Sequence, residues 1–244
     1  MKFNDEGIII DVRKYGEKSL ILKVFSRHHG IYSGFVKYAK SSKAAAIYHV
    51  GNLVSFEFHS RLEDNLGSFA AVDLVRSYYS QIIFERTKLN CLNSLFSLLN
   101  KFFLEREKQE NIFTKLHCFL EEIIRDETAE KKLIANYIKL ELDILESLGY
   151  GIDLSCCVVN GSTVNLAFVS PKSARAVSLI AGKAYEKQLL PLPSFLIQEE
   201  ENFNNHHLLD GLKLSGYFIE KFLFDDKKLT HSLHREQLLK ALEK

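Results

Sequence analysis

Between residues 12 and 43 this 244-residue chain carries Arg13, Lys14, Lys18, Lys23, Arg27, Lys37, Lys40 and Lys43, opposed only by Glu17. The whole chain has a formal net charge of +1, so the excess is local. A positive field confined to one stretch of a near-neutral chain predicts a docking site for a polyanion. Tyr15, Tyr32 and Tyr38 are interleaved with these cations, and aromatic rings stack on bases with little regard to sequence. The eight basic residues, with Tyr32 and Tyr38 among the rings, form the candidate nucleic-acid contacts. The same residues would also suit the solvated faces of ordinary strands and loops.

Other chemistries find less support. Gly182-Lys183-Ala184 has neither the upstream glycine nor the Ser/Thr of a phosphate loop. There is no His-Glu-x-x-His and no Gly-x-Ser-x-Gly elbow. His28-His29 and His206-His207 are adjacent pairs whose rings diverge, and His231 and His234 would need further ligands to hold a metal. Glu57, Glu63 and Asp64 do not make the converging carboxylate set that a metal-dependent nuclease needs. Cys91, Cys118, Cys156 and Cys157 lack the spacing of a disulfide framework and read as reduced packing thiols. The sequence predicts no catalytic residues and no cofactor.

These contacts must be carried by strands. Runs at 7–14, 19–26, 30–38, 52–60 and 67–75 read as β, most clearly where Val54, Phe56 and Phe58 alternate with Ser55, Glu57 and His59. Leu20, Leu22 and Val24 mark one face of the second run. Turn residues separate the runs at Tyr15-Gly16-Glu17 and His29-Gly30. Five strands in about 75 residues is the size of an OB-fold, a small Greek-key barrel that often binds oligonucleotides.

Beyond Ser77 the apolar period changes to three and four. Leu92, Leu95, Phe96 and Leu99 mark one helix, and Ile112, Leu116, Phe119 and Ile123 a second. Residues 130–148 form a third with a wide apolar stripe, closed by Gly149 as a C-cap. Two more are predicted at 206–224 and 231–242. Residues 152–200 are mixed, with short β runs at 157–159 and 166–169 and a helix start at Ser170-Pro171. The predicted fold is α+β: a five-stranded OB barrel over 1–78, then a mainly helical domain over 79–244 with an irregular subdomain at 152–200. No apolar run approaches the ~18 residues needed to span a bilayer, and the Met-Lys-Phe-Asn-Asp-Glu start carries acids where a secretory signal would be apolar. Both features predict a cytoplasmic protein that does not enter the membrane.

Several segments resemble the bacterial recombination mediator family RecO. The opening hairpin GIIIDVRKYGEKSLILKVFSRHHG (7–30), the basic segment FVKYAKSSK (35–43) and the turn RLEDNLGSF (61–69) are similar to the family's N-terminal half. KLELDILESLGYGIDL (139–154), VSPKSARAVS (169–178) and LLPLPSFL (189–196) fit its C-terminal half. The resemblance implies a non-enzymatic role: binding single- and double-stranded DNA, annealing strands and helping to load RecA onto DNA coated by single-strand-binding protein. Such a role would associate the protein with the nucleoid. It also implies two protein partners, RecR and the acidic C-terminal tail of single-strand-binding protein. For the tail it points to Lys139, where relatives place Arg, with Lys131 and Lys132 forming a rim. Some relatives hold zinc through two Cys-x-x-Cys pairs, and those positions fall here on Cys157, Asn160, Ser178 and Ala181. One sulfur of four predicts no structural zinc. The alternative reading is a structural adaptor whose barrel binds protein, with only incidental DNA contact.

Overall fold

The computed structural model describes residues 1–37, 46–61, 66–125, 129–198, 204–224 and 229–243. By internal contacts the chain divides into two compact units, Met1–Arg125 and Asp126–Lys244.

The first unit opens with five strands: β1 (Lys2–Tyr15), β2 (Ser19–Ser26), β3 (Gly30–Lys37), β4 (Asn52–His59) and β5 (Gly67–Ser77). They close into a barrel in the order β1-β2-β3-β5-β4, with β3 and β5 parallel and the other pairs antiparallel. This is the five-stranded OB arrangement that the strand count predicts. The alternating residues fill its interior: Ile9, Leu20, Leu22, Val24, Val54, Phe56, Phe58 and Phe69 are all buried in one cluster. β1 starts five residues earlier than its sequence run, because Lys2 to Ile8 ladder with β4. A register shift between Ile9 and Asp11 then lets its second half pair with β2. Gly67 sits where a Cβ would lie 2.1 Å from Phe58, so only glycine admits that ring.

Helices α1 (Tyr79–Ile82), α2 (Arg86–Phe102) and α3 (Glu110–Ile123) complete this unit. Phe25 points out of the barrel and meets Phe103 at 6.3 Å and Phe113 at 5.5 Å between ring centroids. The compact unit therefore extends past residue 78 to 125. The segment after α2 runs beside the start of β3: Ile31 bridges Glu105, and Arg106 N donates to Ile31 O at 2.8 Å. Gly30 permits this approach, since a Cβ there would lie 2.0 Å from Glu107 O.

The second unit contains α4 (Glu130–Ser147), strands β6 (Leu166–Val169) and β7 (Ala176–Ser178), the short helix α5 (Leu179–Gly182), β8 (Leu190–Pro191), α6 (Asn205–Leu223) and α7 (Leu233–Leu242). α4 ends as its sequence predicts. Gly149, at φ +87°, donates to Glu146 O and Tyr150 N donates to Leu145 O, both at 2.9 Å, a Schellman closure. β6 pairs with β7 and β8 in a small antiparallel sheet. Two details differ from the sequence expectation. Residues 157–159 lie in a turn rather than a strand, and Ser170-Pro171 opens a turn in which Ser170 Oγ accepts from Ser173 N at 3.3 Å. That turn has no amphipathic run behind it to propagate a helix; helix resumes only at Leu179.

α4, α6 and α7 meet around one buried ion pair. Glu141, fully buried on α4, accepts from Arg235 Nε at 2.8 Å and Nη2 at 3.1 Å. Ser215 Oγ donates to the same carboxylate at 2.6 Å, as does Tyr137 OH, and Arg235 Nη2 also donates to Leu212 O at 2.6 Å. Burial pushes the Glu141 carboxyl upward, but the Arg235 charge and these hydrogen bonds outweigh it and hold it below the usual range. Gly216 leaves the room: a Cβ there would lie 2.7 Å from the guanidinium.

Candidate nucleic-acid interface

Cross-strand register decides which sequence-predicted residues share a surface. Arg13 faces Ile21, which faces Phe35; Tyr15 faces Ser19, which faces Lys37. Residues directly opposite one another point to the same side of a sheet. Arg13, Tyr15, Phe35 and Lys37 therefore share the outer face of β1–β3, while Val12, Leu20, Leu22 and Val36 occupy the inner one. Lys14 pairs with inward-facing Leu20 but is exposed at the barrel's end, and Lys18 is exposed in the β1–β2 turn. Arg13 is partly neutralised, its Nε donating to Asp11 Oδ2 at 2.7 Å. Four of the predicted cations thus gather at one end of the barrel around two aromatic rings.

Three predicted contacts lie elsewhere. Tyr32, read as a stacking ring, is only 3% exposed. Its register partner is inward-facing Val24, and its ring packs between Phe3 at 5.0 Å and Phe58 at 4.8 Å. It belongs to the core and offers no face to a base. Lys23 is half-buried, with Nζ 3.4 Å from Asn100 O at the end of α2. Arg27 pairs with Glu6 at 3.0 Å, its guanidinium 5.2 Å from the Phe113 ring centroid. Asp5 holds the turn that carries Arg27. It accepts from Ser26 Oγ, from His28 N at 2.9 Å, from His29 Nδ1 at 2.8 Å and from Glu6 N at 2.8 Å. Burial works against ionisation there, but these hydrogen bonds prevail and the carboxyl lies below its ordinary range. Tyr38, Lys40 and Lys43 lie outside the described residues.

Sequence reasoning missed Phe35. Its signal is parity: Phe35 and Lys37 are two apart, so a strand puts them on one face. On the other side of the barrel, a cleft of about 580 Å³ is lined by Asn4, Asp5, Glu6, Glu57 and Arg27 among others. Its carboxylates make it a poor phosphate site. One barrel thus presents a basic outer face on β1–β3 and an acid-lined cleft bordered by β1, β4 and the β2–β3 turn.

In the second unit, Lys139 on α4 borders a groove of about 500 Å³ walled by Leu142, Ile152, Leu154, Phe195 and Leu196, with Asp143 and Glu146 also on its lining. Lys131 and Lys132 are exposed about two turns earlier on α4 and do not line it.

The four positions matched to a zinc site do converge. Asn160 Nδ2 donates to Ser178 Oγ at 3.3 Å, Ser178 hydrogen-bonds the Cys157 thiol, and Ala181 packs against the small apolar cluster of Cys157, Phe168 and Val177. Val159 N also donates to Cys157 Sγ, at 3.4 Å. Burial pushes this thiol up, but the hydrogen bonds from Ser178, Asn160 and Val159 bring it down to about 7. Zinc does not fit: one sulfur remains, and the amide and hydroxyl are engaged with each other. Among the described residues no three His, Cys, Asp or Glu side chains are grouped to hold a metal.

A closed five-stranded barrel in the order β1-β2-β3-β5-β4 defines the class of OB-fold barrel proteins. Comparison with known proteins narrows this. The family model for the recombination protein O N terminal matches residues 1–78, and that for its C terminal matches 83–230. The chain is 37% identical to the DNA repair protein RecO of Rickettsia bellii over 228 residues, 93% of this chain and 92% of that one. It is 34% identical to the DNA repair protein RecO of Ehrlichia chaffeensis over 247 residues, 100% of this chain and 99% of that one. The chain belongs to the recombination protein O (RecO) family, and membership gives it a role in DNA repair and recombination. No helix among the described residues is long and apolar enough to cross a membrane.

Proposed function

We propose that this chain is a DNA-binding recombination mediator with no chemistry of its own. It binds single- and double-stranded DNA, anneals complementary strands and helps to load RecA onto DNA coated by single-strand-binding protein, acting with RecR in the cytoplasm at the nucleoid. The observation that carries this reading is one end of the barrel, where Arg13 and Lys37 on the outer face of β1–β3 lie beside Lys14 and Lys18 and all four residues are exposed. Each phosphate contact there releases counterions. A surface that neutralises two strands at once lowers their mutual repulsion and so favours annealing.

Measuring oligonucleotide affinity against salt tests this. With ~4–6 contacts, the log–log slope for single strands should be roughly −3 to −4. Changing Lys37, Lys40 and Lys43 together to alanine should weaken binding at least ~10-fold with the fold intact. A flat salt response would sink the electrostatic reading and favour a protein-binding adaptor.

The tail of single-strand-binding protein is assigned to the groove beside Lys139. The tail's terminal Phe needs an apolar wall, which Leu142, Ile152, Leu154 and Phe195 supply, and its carboxylate needs a cation. Asp143 and Glu146 on the lining would disfavour an acidic tail seated deeply, so the carboxylate should meet Lys139 at the rim. Titrating a labelled tail peptide should show Lys139→Glu binding at least ~10-fold more weakly than wild type. Equal binding would move the pocket elsewhere.

A further inference from the structure

The cations of the barrel face account for affinity to any polyanion, duplex or single strand alike. The two rings among them do something different. Tyr15 is 56% exposed and its ring centroid lies 4.9 Å from that of Phe35, at 57° between planes. The rings come from β1 and β3, and they reach each other across β2, over Ser19 and the half-buried Ile21. A single exposed tyrosine would need no explanation. This one is paired, and the pair is bracketed on the same face by Arg13, two residues before Tyr15, and Lys37, two residues after Phe35. Each cation therefore stands about 7 Å along its strand from its ring.

We propose that Tyr15 and Phe35 form a stacking platform for unpaired bases, which makes this face selective for single-stranded over double-stranded DNA. The proposal rests on the DNA-binding reading above and gives it a strand preference. A stack needs a free base face, and a duplex presents none, because its bases already stack on their neighbours. The phosphates of a single strand find Arg13 and Lys37 beside the rings, so charge complementarity and ring geometry point to one occupant. Ring–base stacking tolerates any sequence, as a factor acting on arbitrary exposed strands requires. Tyr32, the ring that composition alone would favour, is withdrawn into the core and leaves this role to the Tyr15–Phe35 pair.

The test measures binding of the full chain to a labelled oligothymidylate and to a random-sequence duplex of the same length, across a salt series. The double variant Tyr15→Leu/Phe35→Leu keeps apolar volume and every cation. Its single-strand affinity should fall roughly 10-fold or more, while duplex affinity stays within about twofold and the salt slope is unchanged. Tyr15→Phe should retain wild-type binding, because the ring and not the hydroxyl stacks. A 2-aminopurine placed in the single strand should change fluorescence on binding wild type and not on binding the double variant. Equal losses on both DNA forms, or no loss on either, would overturn the platform while leaving the electrostatic reading in place. Absence of salt-dependent DNA binding by the wild type would overturn both.

Discussion

The barrel and the helical unit use charge in opposite ways. On the barrel face Arg13 is 77% exposed and meets Asp11 in water, whereas in the helical unit Arg235 is 6% exposed and Glu141 is not exposed at all. Exposed pairs of the first kind contribute about 0–1 kcal/mol, so such side chains can be exchanged for a phosphate at little cost. The second pair has given up its water, and each partner depends on the other. The charges proposed for recognition sit where binding can re-pair them. Charges kept for architecture sit where nothing else can reach.

The largest effect should follow from breaking the buried pair. Arg235→Ala leaves Glu141 charged, buried and short of its main partner, and should destabilise the helical unit by about 3–5 kcal/mol. Urea denaturation followed by helical circular dichroism measures this. Replacing both partners, Arg235→Met with Glu141→Leu, should recover much of the loss. It should not recover all, because the Tyr137 and Ser215 hydroxyls lose their acceptor. If the double variant is no more stable than Arg235→Ala, the pair is not coupled as its geometry indicates.

The same contrast sorts what the sequence reveals. The β4 alternation of Val54, Phe56 and Phe58 gives strand, face and core at once, because period two is a local property. In β3 the pattern is weaker. Ile31, Ser33, Phe35 and Lys37 form one face and Tyr32, Gly34 and Val36 the other, and each set holds one aromatic and one aliphatic residue. Composition favoured Tyr32 as a DNA contact, yet it stands five positions from Lys37. An odd separation puts the two on opposite sides of an uninterrupted strand. Parity alone therefore separates Tyr32 from the face that carries Lys37. The Glu141–Arg235 pair was not accessible, since its partners are 94 residues apart and no periodicity links them. The substitutions at Asn160, Ser178 and Ala181 are legible as missing ligands, but the hydrogen bonds that replace them are not.

A middle case is Asp5, a carboxylate of the barrel whose side chain is 3% exposed. Its folded pKa is lowered, so its contribution is fully present above the unfolded value near 3.8 and is lost as pH falls through the lowered folded value. Asp5→Asn keeps the shape but removes the charge that accepts from Ser26, His28 and His29. The variant should be about 1–2 kcal/mol less stable at neutral pH. The gap should narrow only in strong acid, below pH 4. A gap that is constant down to the acid transition would mean that the Asp5 charge does not contribute to stability.

The smallest effects divide lysines that composition cannot tell apart. Lys23 and Lys37 both lie in the basic stretch and both sit on outward-facing strand positions. Lys23 directs its ammonium to Asn100 O, and Asn100 Nδ2 donates in turn to Ile10 O at 2.9 Å, so this lysine joins α2 to the barrel wall. Lys37 ends β3 exposed, beside the Tyr15–Phe35 rings. Lys23→Ala should therefore lower the stability of the barrel unit by a few tenths to about 1 kcal/mol and leave DNA affinity within about twofold. Lys37→Ala should do the reverse: no measurable change in melting, and a loss of about 3- to 5-fold in affinity at low salt, with the slope reduced by about one. Thermal melts and fluorescence anisotropy on the two single variants read both quantities. Equal losses of affinity would mean that DNA also reaches the α2 side of β2 and that the interface is wider than the four cations at the barrel's end.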